Sequence, residues 1–330
     1  MKIDRGSPEG TQVNRPKDNE ISIPGIARLF GMREEELEKY CGDMIRRMNL
    51  KYRKIRGEKR DKIILEVLNQ IDSKKLTISG QKRQSEWERG WEENLQEFKK
   101  SNYDVGKLVP KYFKRNVPVR MNRRYVLPED ANFVLNMTRV LCRWLFLKYL
   151  QGVEHIYEFG CGSAANLAFL AKLFPEKHFY GYDWTSTSNK IIKLLVRQYK
   201  WKIKGGIYDF FEPDQELHIY KKSAFFTFGA LEQVGRNFDK YLDFVLKKTP
   251  MICINLECLY ELYEPKYLLD FLAMKYHKRR DYLIGFLPAL RRLERKGAVD
   301  ILKFHHNTLG NVYGDTLSCV IWRVKAGGRV

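Results

Sequence analysis

No apolar run in this chain reaches the ~18 residues a membrane span requires, and residues 1–20 are polar with no apolar h-region of a secretion signal. These absences predict a cytoplasmic protein. Cysteine is sparse, six in 330 residues, with no CxxC pair and no HxxxH beside Cys253 and Cys258. Neither a disulfide framework nor a zinc site is indicated, and all six thiols are expected to be reduced and structural. No His/Asp/Glu set has metal-ligand spacing, so no metal is predicted. The Gly-Lys-Ser/Thr of a phosphate-cradling loop is missing as well, which sets aside most nucleoside triphosphatases. No internal repeat occurs.

What the chain has in excess is positive charge, a formal +20. The surplus is spread through the chain and concentrates in KYRKIRGEKRDK (51–62) and in 99–124, where nine Lys/Arg face the single Asp104. Such a surface attracts a polyanion, whether nucleic acid, an anionic membrane or a phosphorylated carrier, and equally serves solubility.

Three segments follow from the pattern. Residues 1–24, polar and rich in Gly and Pro, are predicted to be disordered. Residues 25–130 read as a helical lid region: Leu29, Met32, Leu37, Tyr40 and Met44 recur at helical spacing, as do Trp87, Trp91, Leu95 and Phe98, a stripe that reads first as core. A Pro/Lys/Arg-rich loop (108–130) leads to a long apolar helix closed by Gly152. The third segment, 131–330, is predicted to be a Rossmann-like α/β domain, a doubly wound, mostly parallel seven-stranded sheet. Its strands are expected near 155–159, 178–183, 203–209, 224–230, 251–257, 299–305 and 317–324, with helices near 165–173, 187–200, 237–247 and 265–274. TLGNVYGD is too short for a helical crossover, so the last strand should run antiparallel.

In such a sheet a ligand sits beyond the carboxyl ends of the strands. The first strand ends in EFGCGSAANL, where Gly160 permits a tight turn, Gly162 a close approach of ligand to backbone, and Ala165 close helix packing. A dinucleotide would put its pyrophosphate near Glu158, which repels it; a cationic amine is favoured there. Asp183 ends the second strand, in register for ribose hydroxyls, and Asp209 ends the third, in reach of an adenine amine with Phe210 or Phe211 as a stacking face. One acid at a strand end is commonly a turn or a cap; three on consecutive strands point to S-adenosylmethionine, with its ammonium and sulfonium.

On EFGCGSAANL, YDW and YDFFEP, the region 153–330 resembles class I S-adenosylmethionine-dependent methyltransferases. With VPKYF, ALEQVG, YHKRRDYL and VIWR it resembles, more narrowly, bacterial methyltransferases associated with polysaccharide and surface-sugar biosynthesis. The resemblance implies cofactor contacts at Glu158, Gly160, Gly162, Asn166, Asp183, Trp184, Asp209 and Phe210. The third glycine of the pattern is replaced by Ala164/Ala165, which bears on cofactor affinity.

Methyl transfer needs alignment of the nucleophile and, for a hydroxyl, a proton acceptor. Catalytic candidates are Glu232, Gln233, Glu257 and His277; substrate candidates are Tyr112, Arg115, Arg280 and His305, with Phe113 and Arg120 as further lid residues. Each has a structural alternative: Glu232 and Gln233 as helix caps, Glu257 in a salt bridge, His277 on a helix face, and at most one of His305 and His306 facing the site. The preferred acceptor is a hydroxyl of a sugar or carrier-linked glycan. The D/N-P-P-Y/F tetrapeptide of many base-amine methyltransferases is missing, which disfavours nucleic acid without removing it. An NAD(P)-dependent oxidoreductase and a non-catalytic cofactor-binding scaffold compete with these readings from outside the class.

Overall fold

The computed structural model describes residues 19–315 and 317–325. Most of the predicted disordered tail lies outside them, but its end is ordered: Ile21 is buried, its amide donates to Leu50 O at 3.1 Å, and Ser22 caps the first helix through Gly25 N. That helix, α1 (Ile23–Phe30), stops where Gly31 takes φ +60°. The continuous helical pattern read across this region is therefore two helices, and α2 (Glu34–Ile45) follows the left-handed corner.

Next come β1 (Tyr52–Lys54), α3 (Gly57–Asp72), α4 (Gln84–Lys100), β2 (Val119–Met121), β3 (Arg124–Pro128) and α5 (Phe133–Tyr149). The expected helical region thus also contains three strands. The cap of α5 is Leu150 rather than Gly152.

The alternating part follows: β4 (His155–Phe159), α6 (Ala165–Leu173), β5 (His178–Asp183), α7 (Ser186–Tyr199), β6 (Ile203–Ile207), β7 (Ser223–Phe228), α8 (Asp239–Lys248) and β8 (Ile252–Glu257). The chain ends in α9 (Leu268–Arg280), α10 (Phe286–Arg295), β9 (Val299–His305), β10 (Leu309–Asn311), β11 (Gly314–Asp315) and β12 (Ser318–Val324). The pattern reading does not anticipate α10.

The large sheet has the order β6-β5-β4-β7-β8-β12-β9, parallel from β6 through β8, with β12 antiparallel to β8 and β9. The predicted seven strands and reversed last strand are both present. The alternation of each strand assigns its side chains to two cores. Ile156, Phe226 and Ile254 pack with α1, α2 and α5–α7, while Tyr157, Phe225, Cys253 and Trp322 pack with α8 and α10.

The segment between β9 and β12 is more than a loop. Asn311 Oδ1 accepts from Tyr313 N at 2.8 Å and turns a short hairpin, and β10 pairs with β2 through Leu309↔Met121 and Gly310↔Arg120. A second sheet, β1-β3-β2-β10-β11, therefore stitches the N-terminal segment to the end of the chain. One buried cluster runs from Ile21 to Ile321.

Candidate functional site

A cavity of about 360 Å³ opens where β4 and β7 end side by side and the order of strands reverses, the place where doubly wound sheets bind ligands. Its floor is the turn after β4. Gly160, Gly162 and Ala164 have φ of +75°, +52° and +58°, a run of left-handed residues that folds the chain straight into α6. A side chain at Gly160 would strike Ala230. The turn is pinned to β5: the amides of Gly160 and Cys161 donate to Tyr182 O at 2.7 and 3.0 Å, and Gly162 N donates to Asp183 Oδ2 at 2.9 Å.

Two carboxylates face this floor. Glu158 shares a strand face with Ile156 and is buried under α5 and α6, with 1% of its surface exposed. Asn166 donates to its Oε1 at 2.7 Å; its Oε2 has no partner among the described residues. Burial pushes the Glu158 carboxyl up to about 8, with the Asp183 charge adding and the Asn166 bond opposing. Asp183 Oδ1 accepts from Thr185 N at 2.9 Å and Thr185 Oγ1 at 2.6 Å. Burial also raises the Asp183 carboxyl, against those bonds.

The roof is built from the N-terminal segment. Trp87 and Trp91 of α4 stack with centroids 5.4 Å apart, and Arg83 lies 5.0 Å over Trp87. A strap holds α4 down: Glu88 accepts from Ser186 N at 2.8 Å, Ser186 Oγ at 2.9 Å, Thr187 N at 3.0 Å and Thr187 Oγ1 at 2.5 Å, capping α7 from outside. Tyr112 and Phe113 form the opposite lip, centroids 5.0 Å apart, and Ser163 Oγ ties their segment to the turn through Leu108 O at 2.6 Å. The Tyr112 residue is half exposed; desolvation and then the charges of Glu232, Glu158 and Glu257 raise its hydroxyl's pKa.

Of the residues singled out in the sequence, Glu158, Gly160, Gly162, Asn166, Asp183, Trp184, Phe210, Gln233, Tyr112 and Phe113 line this cavity. Ala165 and Phe211, the alternative stacking face, line it too; the remaining site candidates lie elsewhere. Asp209 does not line it; it stands two residues past β6 and caps its own turn by accepting from Phe211 N at 2.8 Å.

Glu257 is fully buried behind the wall and accepts from Ala230 N and Glu232 N, each at 3.2 Å. Burial, then the Glu232 charge, pushes its carboxyl up to about 8. Glu232 accepts from Gln233 Nε2 at 2.9 Å and from the Cys258 thiol at 3.0 Å. These two acids brace the turn after β7, and neither lines the cavity.

His277 is buried against Tyr263 and Tyr282, and desolvation lowers it to about 3, so it stays neutral. Arg280 binds Thr77 O and, at 2.8 Å, Tyr282 Oη, fastening a loop to α9. His305 approaches Leu29 O at 3.3 Å and packs on Gly31. Arg115 is exposed outside the cavity. Arg120, expected in the lid, is buried in an ion cluster with Asp270 and Asp315.

Sequence reasoning missed Trp87, Trp91, Thr138 and Arg139 as lining residues. The tryptophans were legible only as an apolar stripe. Thr138 is 4% exposed with an unpartnered Oγ1; burial lowers the neighbouring Arg139.

No family model matches the chain, and no curated protein matches it. Among solved structures it is similar to the CMeT domain of the citrinin polyketide synthase, with 13% identity over 58% of this chain and 52% of that one, at a TM-score of 0.37. An O-methyltransferase of neocarzinostatin biosynthesis, crystallised with S-adenosylmethionine and a naphthoic acid, gives 10% identity over 58% of each chain and a TM-score of 0.39. A putative RNA methyltransferase from Pyrococcus horikoshii gives 11% identity over 59% of this chain and 85% of that one, at 0.38. The chain therefore spans little more than half the length of the first two. At this similarity, the reading of function rests on the site itself.

Proposed function

We propose that the protein is an S-adenosylmethionine-dependent methyltransferase acting on a small acceptor, with a sugar or glycan hydroxyl as the preferred class. One observation carries the reading: Glu158 Oε2 is buried, unpartnered and part of the cavity wall at the switch point. A carboxylate so placed calls for a proton or a cation. The donor's ammonium and sulfonium suit it, whereas a pyrophosphate does not, which disfavours an oxidoreductase.

When bound, the donor supplies a methyl group on an excellent leaving group. The chain's own task is then to bind, align and exclude water. Glu158 and Asn166 would hold the amino end, Asp183 the ribose hydroxyls through remaining acceptor capacity, and Trp184, Phe210 and Phe211 the base. Trp87, Trp91 and Tyr112 cover the reacting region. Neither Glu232 nor Glu257 lines the cavity, whereas Tyr112 does, so its hydroxyl is placed to hydrogen-bond an acceptor and orient it.

The net charge of +20 supports a second reading, a nucleic-acid acceptor; binding of RNA that survives physiological salt would favour it. Calorimetry with S-adenosylhomocysteine and with NAD tests the main reading: saturable binding of the first, weakened by Glu158→Ala, is expected. Binding of NAD alone would reject it. A protein that binds the donor but methylates nothing in any cell-extract fraction would be a scaffold.

A further inference from the structure

The two basic runs of the sequence, 51–62 and 99–124, have no part in the floor or roof described above except through Tyr112 and its neighbours. Folding joins portions of them. β1 pairs antiparallel with β3, Arg53 opposite Leu127 and Lys54 opposite Val126, and Ile55 N extends the pairing to Tyr125 O at 3.0 Å. Beside this seam lies a concavity of about 410 Å³ lined by Lys54, Arg56, Arg60, Arg123 and Arg124 around Ile55 and Tyr125. No acidic residue lines it among the described residues, and it shares no lining residue with the glycine-turn cavity.

Four of the five lining cations are arginines, with planar guanidinium forks. Crowding them together costs repulsion unless counter-charges are near. Among the described residues, counter-charges reach two of the four arginines. Arg123 is held by Glu264 at 2.6 Å and Asp270 at 3.0 Å and lies 4.0 Å over Tyr267. Arg60 has an exposed contact with Asp61 at 3.4 Å. Arg56 and Arg124 meet no carboxylate among the described residues. Tyr125 is a fixed floor, its hydroxyl donating to Val312 O at 3.0 Å. Arg56 is also the N-cap of α3 and makes no side-chain cap bond there.

With Arg123 engaged by its acids, Arg56, Arg60 and Arg124 around one concavity offer guanidinium forks that match the oxygens of phosphate. Its size fits a compact ligand, where a polymer would call for an open track. We infer that this concavity binds a compact phosphate-bearing ligand, a phosphate ester or a diphosphate, at a site separate from the donor cavity.

Inorganic pyrophosphate is the probe. Titration calorimetry of the full chain near physiological salt should give saturable binding with one site. Arg56→Gln and Arg124→Gln should each weaken it about tenfold, the loss of one charge-assisted contact. Arg292→Gln, an exposed arginine on α10, should leave it unchanged, and all three should keep wild-type thermal midpoints. S-adenosylhomocysteine binding is measured in parallel, so the two sites succeed or fail independently. Undetectable pyrophosphate binding, many weak sites, or equal losses from Arg292→Gln and Arg124→Gln would overturn the inference. So would a single-stranded oligonucleotide that binds tighter than pyrophosphate and is lost in the same variants.

Discussion

Trp91 lies across Gly162: a Cβ built on that glycine would stand 2.6 Å from the indole ring. The glycine whose place in the turn predicts a close approach of ligand to backbone is thus the residue on which the roof rests. Gly162→Ala has two costs, the left-handed φ of +52°, worth about 1–2 kcal/mol, and the collision with Trp91. Trp91→Ala removes only the second. A double-mutant cycle on thermal stability should therefore show Gly162→Ala to be milder in the Trp91→Ala background, by roughly 1 kcal/mol or more. Strict additivity would mean that the contact carries no energy.

The Glu158 carboxyl, at about 8 without ligand, holds its proton at neutral pH. A cation entering the cavity favours the ionised form, so donor binding releases a proton. Affinity should then rise with pH, by up to about tenfold per unit below pH 8, and level off above it. Calorimetry in buffers of different ionisation enthalpy would count the proton, and Glu158→Gln should abolish the dependence. The sign for the ligand-free fold is opposite. Its raised carboxyl stabilises the fold fully below the ordinary carboxylate range, and this is lost as pH rises through about 8. A melting midpoint that climbs between pH 6 and 8 would contradict this assignment.

Tyr112→Phe keeps the ring that lines the cavity and removes the hydroxyl. If that hydroxyl orients the acceptor, kcat/KM should fall by about tenfold, the loss of one hydrogen bond, while donor affinity stays within about twofold. Unchanged turnover by the variant would mean that the hydroxyl does not touch the acceptor.

Arg120 is fully buried between Asp270 and Asp315, the latter at 3.1 Å, and donates to Leu269 O at 2.6 Å. Asp270 also holds Arg123 at 3.0 Å and accepts from Glu264 N at 3.1 Å. Asp270→Asn leaves a buried cation short of counter-charge, and denaturant melts should show a loss of about 3–5 kcal/mol. A loss under about 1 kcal/mol would mean Asp315 alone suffices.

The strands at 155–159, 178–183 and 299–305 and the helix at 165–173 were legible because alternation, helical spacing and glycine punctuation are local properties. Glu158 and Asp183 were legible as lining residues for the same reason, each a polar group at the end of an apolar strand. Glu257 obeys the same rule yet faces away from the cavity. Every residue of β8 is buried, so alternation gives no sign of which face carries the ligand. His277, His305 and Arg280 are ordinary polar residues in the pattern; only their neighbours make them fasteners. Asp209 lies beyond the paired part of β6, where a free carboxylate closes its own turn.

The chain's local pattern determined an α/β sheet with a glycine turn and buried acids at its mouth, because those features depend on neighbours a few residues apart. That α4 lies over Gly162, that the hairpin at 309–315 sews the small sheet shut, and that two distant arginine runs share one concavity were decided by tertiary packing. Those contacts join residues dozens to hundreds of positions apart, and which buried faces meet is settled only when the whole core closes.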